Sequence, residues 1–392
     1  HLVTIGMRVL IPLGRRKVSG IVFELIPETP LRHIKDIIAV LDEEPIVDEQ
    51  LLTLSQWASQ YYVSSLGEVL STMLPPTSRM EIENVIVAKS ESMQTDHVLG
   101  QKILDVLRDK NGQTGLKSLT RALGGANASS AIKQLQSLGH VEIRERLPGQ
   151  KRRRRFDGSQ ASPSPSADLR RFTLNTEQHA ALAAMKAGLK TGGFATFLLH
   201  GVTGSGKTEV YLRAMECVRD TGRQSLILIP EISLTPQLLD RVNARFSGRV
   251  GVLHSGLTAA ERWAQWWQIK RGDVDIVVGA RSAVFAPVPN LGLIVADEEH
   301  DGSYKQDDGL RYNARDVAVM RGKLSRCPVL LGSATPSLES YENCRQGRYQ
   351  LLEISHRVEQ RPLPSIEIVD LRNHLKSTGM TVTNAGADAW DK

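Results

Sequence analysis

Residues 201–208 read Gly-Val-Thr-Gly-Ser-Gly-Lys-Thr, a complete G-x-x-x-x-G-K-[ST] phosphate-binding loop. Its glycines let backbone N–H groups close around a phosphate chain, which a Cβ would obstruct. Gly201, Val202, Thr203, Gly204, Ser205 and Gly206 are thus the candidate cradle for ATP, with Lys207 for the β- and γ-phosphates and the Thr208 hydroxyl for Mg²⁺. The motif works only between a strand and a helix. The apolar run 194–200 predicts the strand, and residues 209–219 predict the helix, with Val210, Ala214 and Val218 on one face.

The loop sits in a chain of 392 residues, long enough for two or three domains. A net charge of +6 permits an anionic partner, nucleic acid being the commonest. Cys217, Cys327 and Cys344 lie far apart, which excludes a disulfide framework and metal-ligand spacing and suits a reducing cytoplasm. No apolar run approaches the ~20 residues of a membrane span, and the N-terminus shows no signal-peptide pattern. A cytoplasmic protein with no membrane partner is expected. The chain opens at His1 without Met, so its natural start is expected upstream.

Four regions precede or surround the loop. Strands are predicted at 8–12 and 20–26 around a basic turn, then an amphipathic helix over 48–62 bearing Leu51, Leu52, Leu54 and Trp57. From 96 to 150, helices over 101–110, 116–123 and 128–138 and an alternating strand over 140–147 give the order of a winged helix. That pattern serves DNA readers and protein–protein spacers alike. Residues 151–170 begin Lys-Arg-Arg-Arg-Arg and turn rich in Ser and Pro, a linker by chemistry, phosphate-contacting or simply solvated. From 174 to 356, apolar strands at 225–230, 250–254, 275–280, 293–297 and 328–335 alternate with helices at 236–246, 259–270 and 314–324. Strands apolar along their whole length predict a doubly wound parallel sheet with helices on both faces.

Two further strand ends carry chemistry. Leu293-Ile294-Val295-Ala296 runs into Asp297-Glu298-Glu299-His300, which places Asp297 to hold Mg²⁺ and Glu298 to orient or deprotonate a water. The string 331–336 ends the next strand with Ser333 and Thr335, small hydroxyl residues able to bridge the nucleotide site to a neighbouring domain. Upstream, the Gln178 amide both donates and accepts and can read an adenine edge.

In their order, GVTGSGKTEVYL, LIPEISLTPQ, VLHSGL, VVGARSAVFAP, DEEHDGSYKQDDG, RYNARD and LGSATPSLE resemble the primosomal protein N′ (PriA) family of bacterial replication-restart helicases, superfamily 2. The match is dense from about 174 to 353. The resemblance implies a domain binding DNA 3′ ends at 1–80, a winged helix, then the first RecA-like motor lobe. It also implies ATP-driven 3′→5′ unwinding at stalled forks and partnership with primosome proteins and single-stranded-DNA-binding protein.

Carried over residue by residue, it makes Asp297 and Glu298 the hydrolytic acids and has Ser333 and Thr335 couple hydrolysis to DNA movement. Residues 301–315 resemble the family's aromatic-rich loop. There Tyr304 and Tyr312, with Lys305 and Arg315, would meet single-stranded DNA, and Leu310 stands where the family commonly has Trp. Gly14 and Lys35 align with contacts to a DNA 3′ end. The family continues into zinc-binding cysteines and a second lobe carrying an arginine finger. Those cysteines have no counterpart in this chain, which stops at Lys392 after a tail over 357–392. Truncation at both ends and impaired hydrolysis by this chain alone are therefore expected. The competing reading is a fork-binding, partner-recruiting module without motor activity. A small-molecule kinase would need neither the acidic strand end nor the Ser-Ala-Thr string.

Overall fold

The computed structural model describes residues 3–14, 16–75, 83–89, 95, 98–110, 112–123, 128–146 and 173–358. The linker expected at 151–170 and the tail from 359 onward lie outside the described residues.

Strands β1 (Arg8–Leu13) and β2 (Arg16–Ile21) form an antiparallel hairpin, and the short β3 (Ala39–Val40) pairs with the other edge of β1. The second strand starts earlier than the expected 20–26. Gly14, at φ +59, reverses the chain at once, so Leu13 already opposes Arg16. Helix α1 (Glu49–Tyr61) follows the prediction to within a residue, because the Asp48 side chain accepts from Leu51 N and caps it. Helix α2 (Leu66–Met73) completes the module.

The second module comprises β4 (Glu83–Ala88), α3 (Val98–Asp109), β5 (Gln113–Gly115), α4 (Leu116–Ala122), α5 (Ser129–Ser137) and β6 (Val141–Arg146). All three expected helices form, burying Ile103, Leu107, Leu119, Ile132 and Leu135 against Ile86 and Val141. The sequence reading missed β4, although it is the central strand of an antiparallel sheet ordered β5-β4-β6. The module therefore extends upstream of the expected boundary at 96.

The α/β lobe runs α6 (Thr176–Thr191), β7 (Thr196–Gly201), α7 (Lys207–Arg219), β8 (Gln224–Leu228), α8 (Pro236–Arg245), β9 (Val250–Leu253), α9 (Ala259–Lys270), β10 (Ile276–Gly279), β11 (Leu291–Asp297), α10 (Ala314–Ser325), β12 (Val329–Ser333), α11 (Leu338–Arg345) and β13 (Gln350–Ile354). Its seven strands are parallel, in the order β13-β7-β12-β11-β8-β10-β9. Alternate residues feed two apolar layers. Leu226, Leu228, Ile294 and Ala296 pack on one face of the sheet, and Ile227, Leu293 and Val295 pack on the other. A doubly wound sheet follows, as expected.

The first module docks on this lobe. Leu51, Leu54 and Ala58 of α1 share a core with Val317 and Ala318 of α10, and the Trp266 indole donates to Ile46 O at 3.2 Å. Arg8, paired with Asp42 in the first module, lies 4.8 Å from the Trp263 ring centre. The loops after β7, β11 and β12 all emerge at the carboxyl edge of the sheet, where open α/β folds bind ligands.

Candidate nucleotide site

Residues 202–206 connect the end of β7 to Lys207, the first residue of α7. Gly204 and Gly206 both sit at φ +81, a state an L side chain rarely adopts. A Cβ on Gly206 would lie 2.5 Å from Gln178 Nε2, and one on Gly201 would lie 2.7 Å from Ser205 Oγ. The loop is wound too tightly for side chains at either position. Lys207 is buried, and its Nζ donates to Gly201 O at 2.8 Å.

Ser205 Oγ is buried without a hydrogen-bond partner among the described residues, and no side chain caps the start of α7. Orphan donors around a helix N-terminus, with an ammonium beside them, form the donor set of a phosphate site. The cleft over them holds about 340 Å³ and is lined by residues 203–209 with Gln178, Arg241, Asp297, Glu298 and Val358. Thr208 is half-buried on its wall, facing the same space as Asp297.

Gln178 is buried on the wall of the cleft. Its Oε1 accepts from Asn175 N at 2.9 Å, which caps α6, and its Nε2 donates to Ser205 O at 2.8 Å. Bonded at both ends, the side chain braces the phosphate loop. The stretch after β13 braces the loop from the other side, through Val358 N donating to Gly204 O at 3.0 Å. Glu177 holds that stretch, accepting from Ser355 Oγ and from His356 N at 3.2 Å. The Ser355 bond is the main reason its carboxyl falls from 4.5 to about 2.

Asp297 closes β11 on the far wall. Its Oδ1 accepts from the Tyr211 hydroxyl at 2.9 Å and from Glu298 N at 3.1 Å. Burial pushes its pKa up; the Tyr211 bond and the Lys207 charge oppose that shift. Burial also holds the Tyr211 phenol well above its ordinary range, so it stays a donor. Glu298 turns away from the strand at φ +46, a left-handed backbone for a residue with a Cβ. Strain of this kind costs on the order of 1–3 kcal/mol and clusters at functional sites. Here it turns the acid into the cleft.

The next two residues join this strand end to its neighbour. His300 Nδ1 lies 2.7 Å from Ser333 Oγ, and its Nε2 lies 3.3 Å from Thr335 Oγ1. The Glu299 side chain is buried and accepts from Ser337 N at 2.7 Å, Ser340 Oγ at 2.8 Å and Arg315 Nη1 at 3.2 Å. It thereby anchors the start of α11. Sequence reasoning missed Tyr211, Glu299 and His300 as site residues. The DEEH string itself was the available signal for the last two.

The expected DNA contacts divide. Gly14, Lys35 and Lys305 are exposed. Tyr304 and Tyr312 are each 1% exposed, which overturns the expectation that their rings stack on bases in this conformation. The Tyr304 hydroxyl is the donor at the ends of two strands, 3.0 Å from Leu228 O and 2.6 Å from Asp297 O, and Tyr312 packs 5.1 Å from Phe285. Arg315 is likewise committed inward, to Glu299, Asp316 and Ser337 Oγ.

Two stretches of the chain match known domain families. Residues 1–75 match the PriA 3′ DNA-binding domain, and residues 175–344 match the DEAD/DEAH box helicase domain. The chain is 34% identical to Replication restart protein PriA of Bacillus subtilis (strain 168), over 95% of this chain and 54% of that protein. Against the protein of the same name from Chlamydia pneumoniae it is 37% identical over 94% of this chain and 50% of that one. Against that of Synechocystis sp. it is 43% identical over 72% of this chain and 33% of that one. The chain thus spans about half the length of the curated relatives it matches. Over that half, with a match to the PriA 3′ DNA-binding domain followed by one to the DEAD/DEAH box helicase domain, the chain is similar to the replication restart protein PriA of several bacteria.

Proposed function

We propose that this chain supplies the nucleotide-binding lobe and the DNA 3′-end-binding domain of an ATP-dependent 3′→5′ DNA helicase acting in replication restart. The observation carrying the proposal is one cleft lined by Lys207, Thr208, Asp297 and Glu298, with His300 of the same acidic strand end joined to Ser333 and Thr335. The residues fit a Mg²⁺-bound nucleoside triphosphate. Two glycines hold backbone that a Cβ would strain, a buried serine oxygen lacks a partner, and an ammonium and a carboxylate line opposite walls. Thr208 and Asp297 would hold Mg²⁺, which supplies charge neutralisation at the phosphates when bound. Lys207 binds the phosphate chain, and Glu298 orients the attacking water and takes its proton.

In this reading the exposed Gly14 and Lys35 of the first module, with Lys305, meet forked or single-stranded DNA. The module at 83–146 serves as a winged helix. Primosome proteins, single-stranded-DNA-binding protein and a cytoplasmic setting belong to the proposal through the family alone. ATP hydrolysis by purified protein, measured with and without forked DNA, tests it. Hydrolysis that rises with DNA and disappears with Lys207→Ala supports it, and hydrolysis indifferent to that change refutes it.

A further inference from the structure

Tyr211 lies one helical turn after Lys207, on the helix whose N-terminus closes the phosphate loop. Its side chain is fully buried, and its hydroxyl donates to Asp297 Oδ1 at 2.9 Å. The Glu298 amide donates to the same oxygen, and no donor among the described residues engages Oδ2. A third element fixes the phenol in place. Asp297 of β11 pairs in register with Gly332 of β12, and a Cβ on Gly332 would lie 1.7 Å from the Tyr211 hydroxyl oxygen. That glycine is extended sheet backbone and has no conformational need to lack a side chain. What its Cα makes room for is the phenol.

We propose that Tyr211 is a positioning residue for the metal-binding carboxylate: its hydroxyl, seated against Gly332, fixes Asp297 through Oδ1 and reserves Oδ2 for the Mg²⁺ shell. The inference rests on the ATP-site reading and adds to it a residue that never touches nucleotide. Ligating carboxylates are typically oriented by such outer partners, whose loss costs about 10–100-fold in metal affinity or activity. Because Tyr211 and Lys207 share one helix, the phosphate loop and the metal carboxylate are also held to a single rigid spacing.

The test titrates Mg²⁺ into the protein and a fluorescent ATP analogue, following nucleotide binding rather than turnover, with EDTA as the metal-free reference. Tyr211→Phe keeps the ring, and circular dichroism checks the fold. The expected result is unchanged binding in EDTA and a roughly tenfold higher Mg²⁺ concentration for half-maximal enhancement. Gly332→Ala, which displaces the hydroxyl while keeping it, should shift the Mg²⁺ response the same way. A Mg²⁺ response equal to wild type in Tyr211→Phe overturns the inference and leaves the ATP site standing. Absence of any Mg²⁺-dependent binding by the wild-type protein overturns both.

Discussion

His300 Nδ1 lies 2.7 Å from Ser333 Oγ, which makes one imidazole the joint between the acidic end of β11 and the end of β12. Ser333 Oγ also accepts from Thr335 N at 2.9 Å, so the β12 end is folded around that contact. Neither Ser333 nor His300 lines the cleft itself. Ser333→Ala is therefore expected to leave nucleotide affinity within about twofold of wild type. It should lower the DNA-stimulated share of hydrolysis by about tenfold, a typical coupling effect. Parallel binding and turnover assays would check this, and equal losses in both would contradict it.

Glu299 carries a different load. Its buried carboxylate satisfies Ser337 N, Ser337 Oγ and Ser340 Oγ together with Arg315. Glu299→Ala leaves those buried donors without their acceptor while Arg315 keeps Asp316, so it should destabilise the lobe by about 1–3 kcal/mol. Glu299→Gln keeps an acceptor and should cost less. Urea unfolding of the two variants decides the order.

Asp297 is held at a cost. Burial raises its pKa above the ordinary 3.8. A raised carboxylate pKa means that the charged form opposes folding once pH exceeds the unfolded value, and the opposition fades as pH falls through the folded one. Asp297→Asn still accepts from Tyr211. It should stabilise nucleotide-free protein at pH 7, in the range of ~0.5–2 kcal/mol seen when functional strain is relieved. Thermal melts across pH should show this gain shrinking toward acid, while Mg²⁺-dependent nucleotide binding is lost at every pH.

Glu177 has the opposite sign. Its pKa is depressed from 4.5 to about 2, chiefly by the Ser355 hydrogen bond. Its hold on residues 355 and 356 is thus fully present above pH 4.5 and is lost as pH falls toward 2. Glu177→Gln should speed amide exchange at His356 and Val358 at neutral pH and spare β7. Hydrogen exchange resolved at those amides provides the check.

The parallel sheet was legible because β10, β11, the end of β8 and the start of β12 are unbroken apolar runs, the pattern expected of strands buried on both faces. Lys207, Thr208, Asp297 and Glu298 were legible because strand-end chemistry is written in contiguous residues. What stayed hidden depends on contacts distant in sequence. The rings of Tyr304 and Tyr312 sit in a polar, Gly- and Asp-rich stretch that reads as surface loop, yet the Tyr304 phenol reaches carbonyls at the ends of β8 and β11. Gln178 caps its own helix and also reaches Ser205 O, a contact 27 residues away in sequence that no local pattern announces. Tyr211 carries no motif of its own within the helix predicted at 209–219, and only the fold sets it against Asp297 and Gly332.

In the function proposed above, Gly201 to Thr208, with Asp297 and Glu298 opposite, form an ATP site served by a separate DNA-binding module. Equilibrium titration of an ATP analogue with Mg²⁺ and of forked DNA, on wild type and Lys207→Ala, tests it most directly. Lys207→Ala should weaken nucleotide binding at least tenfold, about 1.4 kcal/mol, while forked-DNA affinity without nucleotide changes less than about twofold and falls steeply with salt. Nucleotide binding that survives Lys207→Ala, or DNA binding that vanishes with it, would contradict the account.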